Sequence, residues 1–177
     1  MSKITKTIAA LGVVAGLGVA ALPLASYAAT TQNIAVEAEI KGTLSVETPT
    51  VAQVELAPTN GAAATDGSSS VTVKTNNLRG FTLNIKDSDS DTGLTGTSGT
   101  IAAGTVLDGT VSAWAYKGGD KTAYTEITTS DVALKTTTAP TAAAGERVEI
   151  TFGVAADADQ AAGTYTGGVT VTAVANA

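Results

Sequence analysis

Cysteine and histidine are both missing from this chain, and each absence removes a class of chemistry. Without cysteine there is no disulfide framework and no thiolate nucleophile. Without histidine the commonest general base and the commonest metal ligand are gone. Every Ser-His-Asp or Cys-His arrangement goes with them. A carboxylate pair for glycoside cleavage is not singled out by any spacing among the sixteen acidic residues. Aromatics are scarce as well: beyond Tyr27 there are only Phe81, Trp114, Tyr116, Tyr124, Phe152 and Tyr165. With no activated nucleophile and no tuned base to name, the expectation is a protein that is not an enzyme.

Long apolar runs are confined to the amino-terminal end. Lys3 and Lys6 precede an apolar stretch from Ile8 to Leu24, and Ser26-Tyr27-Ala28-Ala29 offers the small residues that signal peptidase needs. That order is a secretory signal peptide over Met1–Ala29, and it assigns residues 30–177 to the outside of the cell. No second apolar segment follows, so no membrane span is expected in the mature chain. Neither a lipid-bearing cysteine nor a sorting motif is present, so retention at the surface would run through a partner or through noncovalent contact.

The chain has ten basic and sixteen acidic residues and a net charge of −6. Two of the lysines lie in the leader, which leaves eight basic residues against sixteen acids, or −8, once it is removed. Nucleic acid and anionic lipid are bound by lysine and arginine, so neither is an expected partner. Because the acids are scattered, they read as solvated faces that keep the protein soluble.

What is present is alternation. Ile34, Val36, Ala38 and Ile40 alternate with Ala35, Glu37 and Glu39; Phe81, Leu83 and Ile85 with Thr82 and Asn84; Val148, Ile150, Phe152 and Val154 with Glu149, Thr151 and Gly153. A last run puts Tyr165, Val169, Val171 and Ala173 on one face and Thr166, Thr170 and Thr172 on the other. Period two marks strands with one face packed and one wet. Gly-, Asn-, Ser- and Pro-rich segments at Pro58–Ser70, Asp87–Gly99, Lys117–Thr122, Thr136–Gly145 and Asp157–Gly163 supply the turns. Short strands at this spacing make a single all-β domain, an antiparallel sandwich or barrel.

Four places are candidates for function. Asp87, Asp89 and Asp91 alternate in a tight loop and can converge on Ca²⁺, or can form a plain solvated turn; Thr92 at the sixth position and Ser98 at the twelfth exclude an EF-hand. Trp114 is either a core plug between sheets or, with Tyr116, a sugar-stacking platform. Thr30–Ile40, directly after the cleavage site, pairs within its own sheet or serves as a donor strand completing a neighbour's. Lys41 and Asn176, near opposite ends, are also a conceivable Lys–Asn amide pair.

Two stretches carry a family resemblance. Ser70-Val-Thr-Val-Lys-Thr-Asn-Asn-Leu-Arg-Gly-Phe-Thr-Leu-Asn-Ile85 and Ala162-Gly-Thr-Tyr-Thr-Gly-Gly-Val-Thr-Val-Thr-Ala173 resemble, in order and separation, the two signature segments of WxL-type bacterial surface domains. Phe81 and Val171 stand at the two tryptophan positions, and Ala173 at the final leucine. The resemblance implies an immunoglobulin-like Greek-key sandwich and noncovalent association with cell-wall glycan or other surface proteins. A self-assembling, pilin-like fibre subunit built on the first strand is the alternative.

Overall fold

The computed structural model describes residues 37–47, 49 and 53–177. Residues 1–29, where a signal peptide is expected, and most of the Thr30–Ile40 segment lie outside these. The compact unit runs from Ile40 to Ala177. It is all-β, with strands β1 Leu44–Val46, β2 Thr65–Thr75, β3 Phe81–Asp87, β4 Leu94–Gly96, β5 Gly99–Ala103 and β6 Ala113–Gly118. These are followed by β7 Lys121–Thr125, β8 Val132–Thr136, β9 Glu146–Ala155, β10 Tyr165–Thr166 and β11 Val169–Ala175. Among the described residues no helix is long and apolar enough to cross a membrane.

Two sheets form, as expected of a β-sandwich. The larger follows the order β1-β2-β9-β6-β5-β4-β10, with β7 also on β6; the smaller is β11-β3-β8. The inward residues of both sheets make one core: Val71 and Val73 from β2, Phe81, Leu83 and Ile85 from β3, Leu134 from β8, and Val148, Ile150 and Val154 from β9. In β3 the inward residues are all buried and the residues between them only partly so. The alternation in the sequence is thus the alternation of faces.

In three places the chain departs from the pattern its sequence suggests. Thr65–Ser70, placed in a turn for its Gly and Ser content, is the first half of β2, paired with Glu149–Val154. A long hydrophobic partner makes a strand of a segment whose own propensity is low. The closing run is two strands rather than one: Tyr165–Thr166 pairs with β4 in the large sheet and Val169–Ala175 with β3 in the small one. The chain changes sheets at Gly167–Gly168, where a Cβ would crowd Leu94 and Ser88 respectively. Finally, β5 and β6 run parallel, through Ala102↔Ala113 and Ala103↔Trp114. Parallel neighbours usually need a long crossover; an overlap of only two residue pairs lets the short 104–112 loop suffice.

Tyr116 is fully buried, and its hydroxyl finds no hydrogen-bond partner among the described residues. Burial pushes its pKa up. A buried polar group without a partner costs about 1–3 kcal/mol. Tyr116→Phe, which deletes that hydroxyl and leaves the ring, should therefore raise the urea midpoint by the equivalent of about 1 kcal/mol. A loss of stability would show that the hydroxyl is engaged.

Candidate functional site

The acidic loop begins at the end of β3. Asp87 Oδ1 accepts the Asp89 amide at 2.9 Å, Asp89 Oδ1 the Asp91 amide at 2.7 Å, and Asp91 Oδ1 the Gly93 amide at 3.0 Å. Each carboxylate therefore closes a turn on the amide two residues ahead. No group of three or more acidic side chains gathers to hold a metal ion among the described residues.

Asp87 is 3% exposed, and its Oδ2 has no hydrogen-bond partner among the described residues. Burial pushes this carboxyl above its ordinary value of 3.8; the Asp89 amide pulls the other way, and the neighbouring Asp89 and Asp91 charges reinforce the rise. A carboxyl that holds its proton more tightly when folded gives stability that is present in acid and lost as pH rises through the folded value. Asp87→Asn keeps the Oδ1 acceptor and removes the charge. It should stabilise the protein by about 1 kcal/mol at pH 7 and by much less well below pH 3.8, where the carboxyl is protonated in both states of the wild type. Equal denaturation midpoints for the two proteins at pH 7 would refute this account.

Trp114 and Tyr116, on β6, are 4% and 0% exposed. Neither ring offers a face for a sugar, because both sit in the core between the sheets. Trp114 does reach the acidic loop: its Nε1 donates to the Thr92 carbonyl at 2.8 Å. It ties that loop to the core. Asn176 is equally committed. Its Nδ2 donates to the carbonyls of Arg79 (2.9 Å) and Thr137 (2.7 Å), and its Oδ1 accepts from Thr82 Oγ1 (2.9 Å).

A polar groove of about 330 Å³ lies where β6 turns into β7, beside β9 and β8. Gly118 and Gly119 form its floor, with φ of 141° and 55°. A Cβ on either would sit closer than 3.0 Å to the backbone, on the carbonyl oxygens of Glu149 and Leu134 respectively. Only glycine makes this floor. Around it stand Lys135, Glu146, Arg147, Glu149 and Thr151, charges of both signs together with a hydroxyl.

Several of these groups are held in place. Lys135 Nζ lies 2.8 Å from Asp120 Oδ1, and Asp120 Oδ2 accepts the Thr136 amide at 2.9 Å. The Lys135 contact raises the lysine pKa and lowers that of Asp120, so both stay charged at neutral pH. Arg147 Nε donates to Ser70 Oγ at 2.8 Å. Polar contacts continue along the same face, through Ser68 with Thr151 and through Asp66, which takes Lys117 at 3.1 Å and the Tyr124 hydroxyl. Lys117 also lies over the Tyr124 ring, 4.2 Å from its centroid.

In the sequence Gly118-Gly119-Asp120 reads only as a turn and Glu149 as one of the scattered acids, while Lys135 and Arg147 carry no signal of their own. Their convergence follows from β9 pairing with β6 and from the turn resting on β8, which spacing alone does not show. Compared with known proteins, this chain matches no family, no characterised protein and no solved structure.

Proposed function

We propose that this chain is an exported, non-enzymatic module of the bacterial cell surface that associates with cell-wall glycan. The single observation that carries this reading is the glycine-floored groove. A glycan bearing amide, hydroxyl and charged substituents needs donors and acceptors of both signs on a surface open enough to admit a chain. Lys135, Arg147, Glu149 and Thr151 offer these around a floor with no side chain. Signal peptide, threonine-rich strands and the resemblance to WxL-type domains support the same reading, with an immunoglobulin-like connection of the strands.

Purified cell wall should retain the mature protein, and salt or denaturant should release it while lipase does not. Arg147→Ala with Glu149→Ala, both on exposed positions, should weaken retention tenfold or more. A charge-assisted hydrogen bond contributes about 1.5–3 kcal/mol, and two are removed. Undiminished retention of the double variant would remove the groove from the function.

A further inference from the structure

The strand edges of this protein are not treated alike. In the large sheet the terminal strands are short: β1 has three residues and β10 two. In the small sheet β8 is capped by the β6–β7 turn, where the Asp120 amide donates to the Leu134 carbonyl at 2.7 Å and its carboxylate takes the Thr136 amide. The edge of β7 opens on Lys121. These are the ordinary ways of blunting an edge against other chains.

β11 has none of them. It is seven residues long and uncharged, and among the described residues it pairs only with β3. Its inward residues Val169, Val171 and Ala173 pack against the core yet remain partly exposed. A groove of about 400 Å³ runs past its far end, between Gly42–Leu44 and Ala175–Asn176.

The chain carries a segment that fits. Ile34, Val36, Ala38 and Ile40 alternate over seven residues, the length of Val169–Ala175, with as many apolar positions as β11 has in Val169, Val171, Ala173 and Ala175. Where this segment enters the compact unit it is exposed, Ile40 at 86% and Lys41 to Thr43 likewise. Just beyond it, Asn76 fixes the chain by accepting the Thr43 amide at 2.6 Å and donating to the Lys41 carbonyl at 2.8 Å.

We propose that the free edge of β11 takes residues Thr30–Ile40 of a second copy as an added strand. Backbone hydrogen bonds along the edge supply affinity, and the alternating apolar side chains select the register. Donor and acceptor are different surfaces, so the contact is head-to-tail and grows into open filaments rather than closing on a dimer. This goes beyond the wall-binding reading and uses none of the groove residues. Loss of one leaves the other standing.

The experiment is sedimentation of the chain from Thr30 onward, beside a double variant Ile34→Asp, Val36→Asp and a chain starting at Lys41. The first should form species that lengthen with concentration; the other two should sediment as single copies. A synthetic Thr30–Ile40 peptide should bind the shortened chain, and Thr172→Lys, at an exposed position of β11, should weaken that binding tenfold or more. A chain from Thr30 that stays monomeric overturns the proposal. If the peptide nevertheless binds the shortened chain, the edge is covered by the protein's own segment. Assembly that survives the double variant overturns it as well.

Discussion

Phe81→Ala should be among the most damaging single changes in this protein, lowering stability by about 3–5 kcal/mol. The ring is 0% exposed and sits in the core between the sheets beside Leu83 and Ile85. It is also at the first position of β3, where its amide donates to Thr137 Oγ1 at 3.0 Å and its carbonyl accepts the Thr137 amide at 2.9 Å. A cavity there cannot easily collapse, because β3 is held on both sides, by β11 and by β8. The companion change is more informative. Phe81→Trp places the residue expected from WxL-type domains into a site already filled by phenylalanine, and overpacking of this kind costs about 1–3 kcal/mol. Denaturation midpoints of both variants check the pair. If the tryptophan variant is as stable as wild type, the site has room that the packing does not suggest.

The second large effect is expected at the groove floor. Gly118→Ala combines a backbone angle unsuited to side chains with a Cβ pressed on the Glu149 carbonyl. Gly99 supplies the control, since it has a comparable φ of 131° but open space within 4 Å of where a Cβ would stand. Gly99→Ala should therefore cost only the conformational share, about 1–3 kcal/mol. Gly118→Ala should cost clearly more, because β6 must move off β9 to make room, and that movement would spoil the groove at the same time. Thermal unfolding of the two variants separates the steric part from the conformational one. Equal losses would mean that the backbone at Gly118 yields freely.

Which parts of this structure are legible in the sequence depends on how local their cause is. β3 and β9 are plain, because their alternation is set by which face meets the core, and that is written residue by residue in Phe81–Ile85 and Val148–Val154. The first half of β2 is not, since Gly67 and Ser68–Ser70 are turn formers by composition and become a strand only through β9. The switch at Gly167–Gly168 leaves its mark in the two glycines, yet alternation on either side conceals it. Trp114 and Tyr116 stand open between core and surface, because an aromatic on a strand has the same sequence signature in both places. The groove is invisible for a further reason: Gly118, Lys135 and Arg147 meet only after two sheets have been paired and stacked.

The last strand also governs when the domain can close. β3, the middle strand of the small sheet, depends on β11, and the corner before β3 is latched by Asn77 to the Asn176 carbonyl, 99 residues away along the chain. Arg79 reaches the Ala177 carbonyl across 98 residues. So high a separation between partners makes folding slow. It also means that Phe81, Leu83 and Ile85 lack one flank until β11 arrives. A chain still being made therefore cannot complete the small sheet before β11 is available to pair with β3.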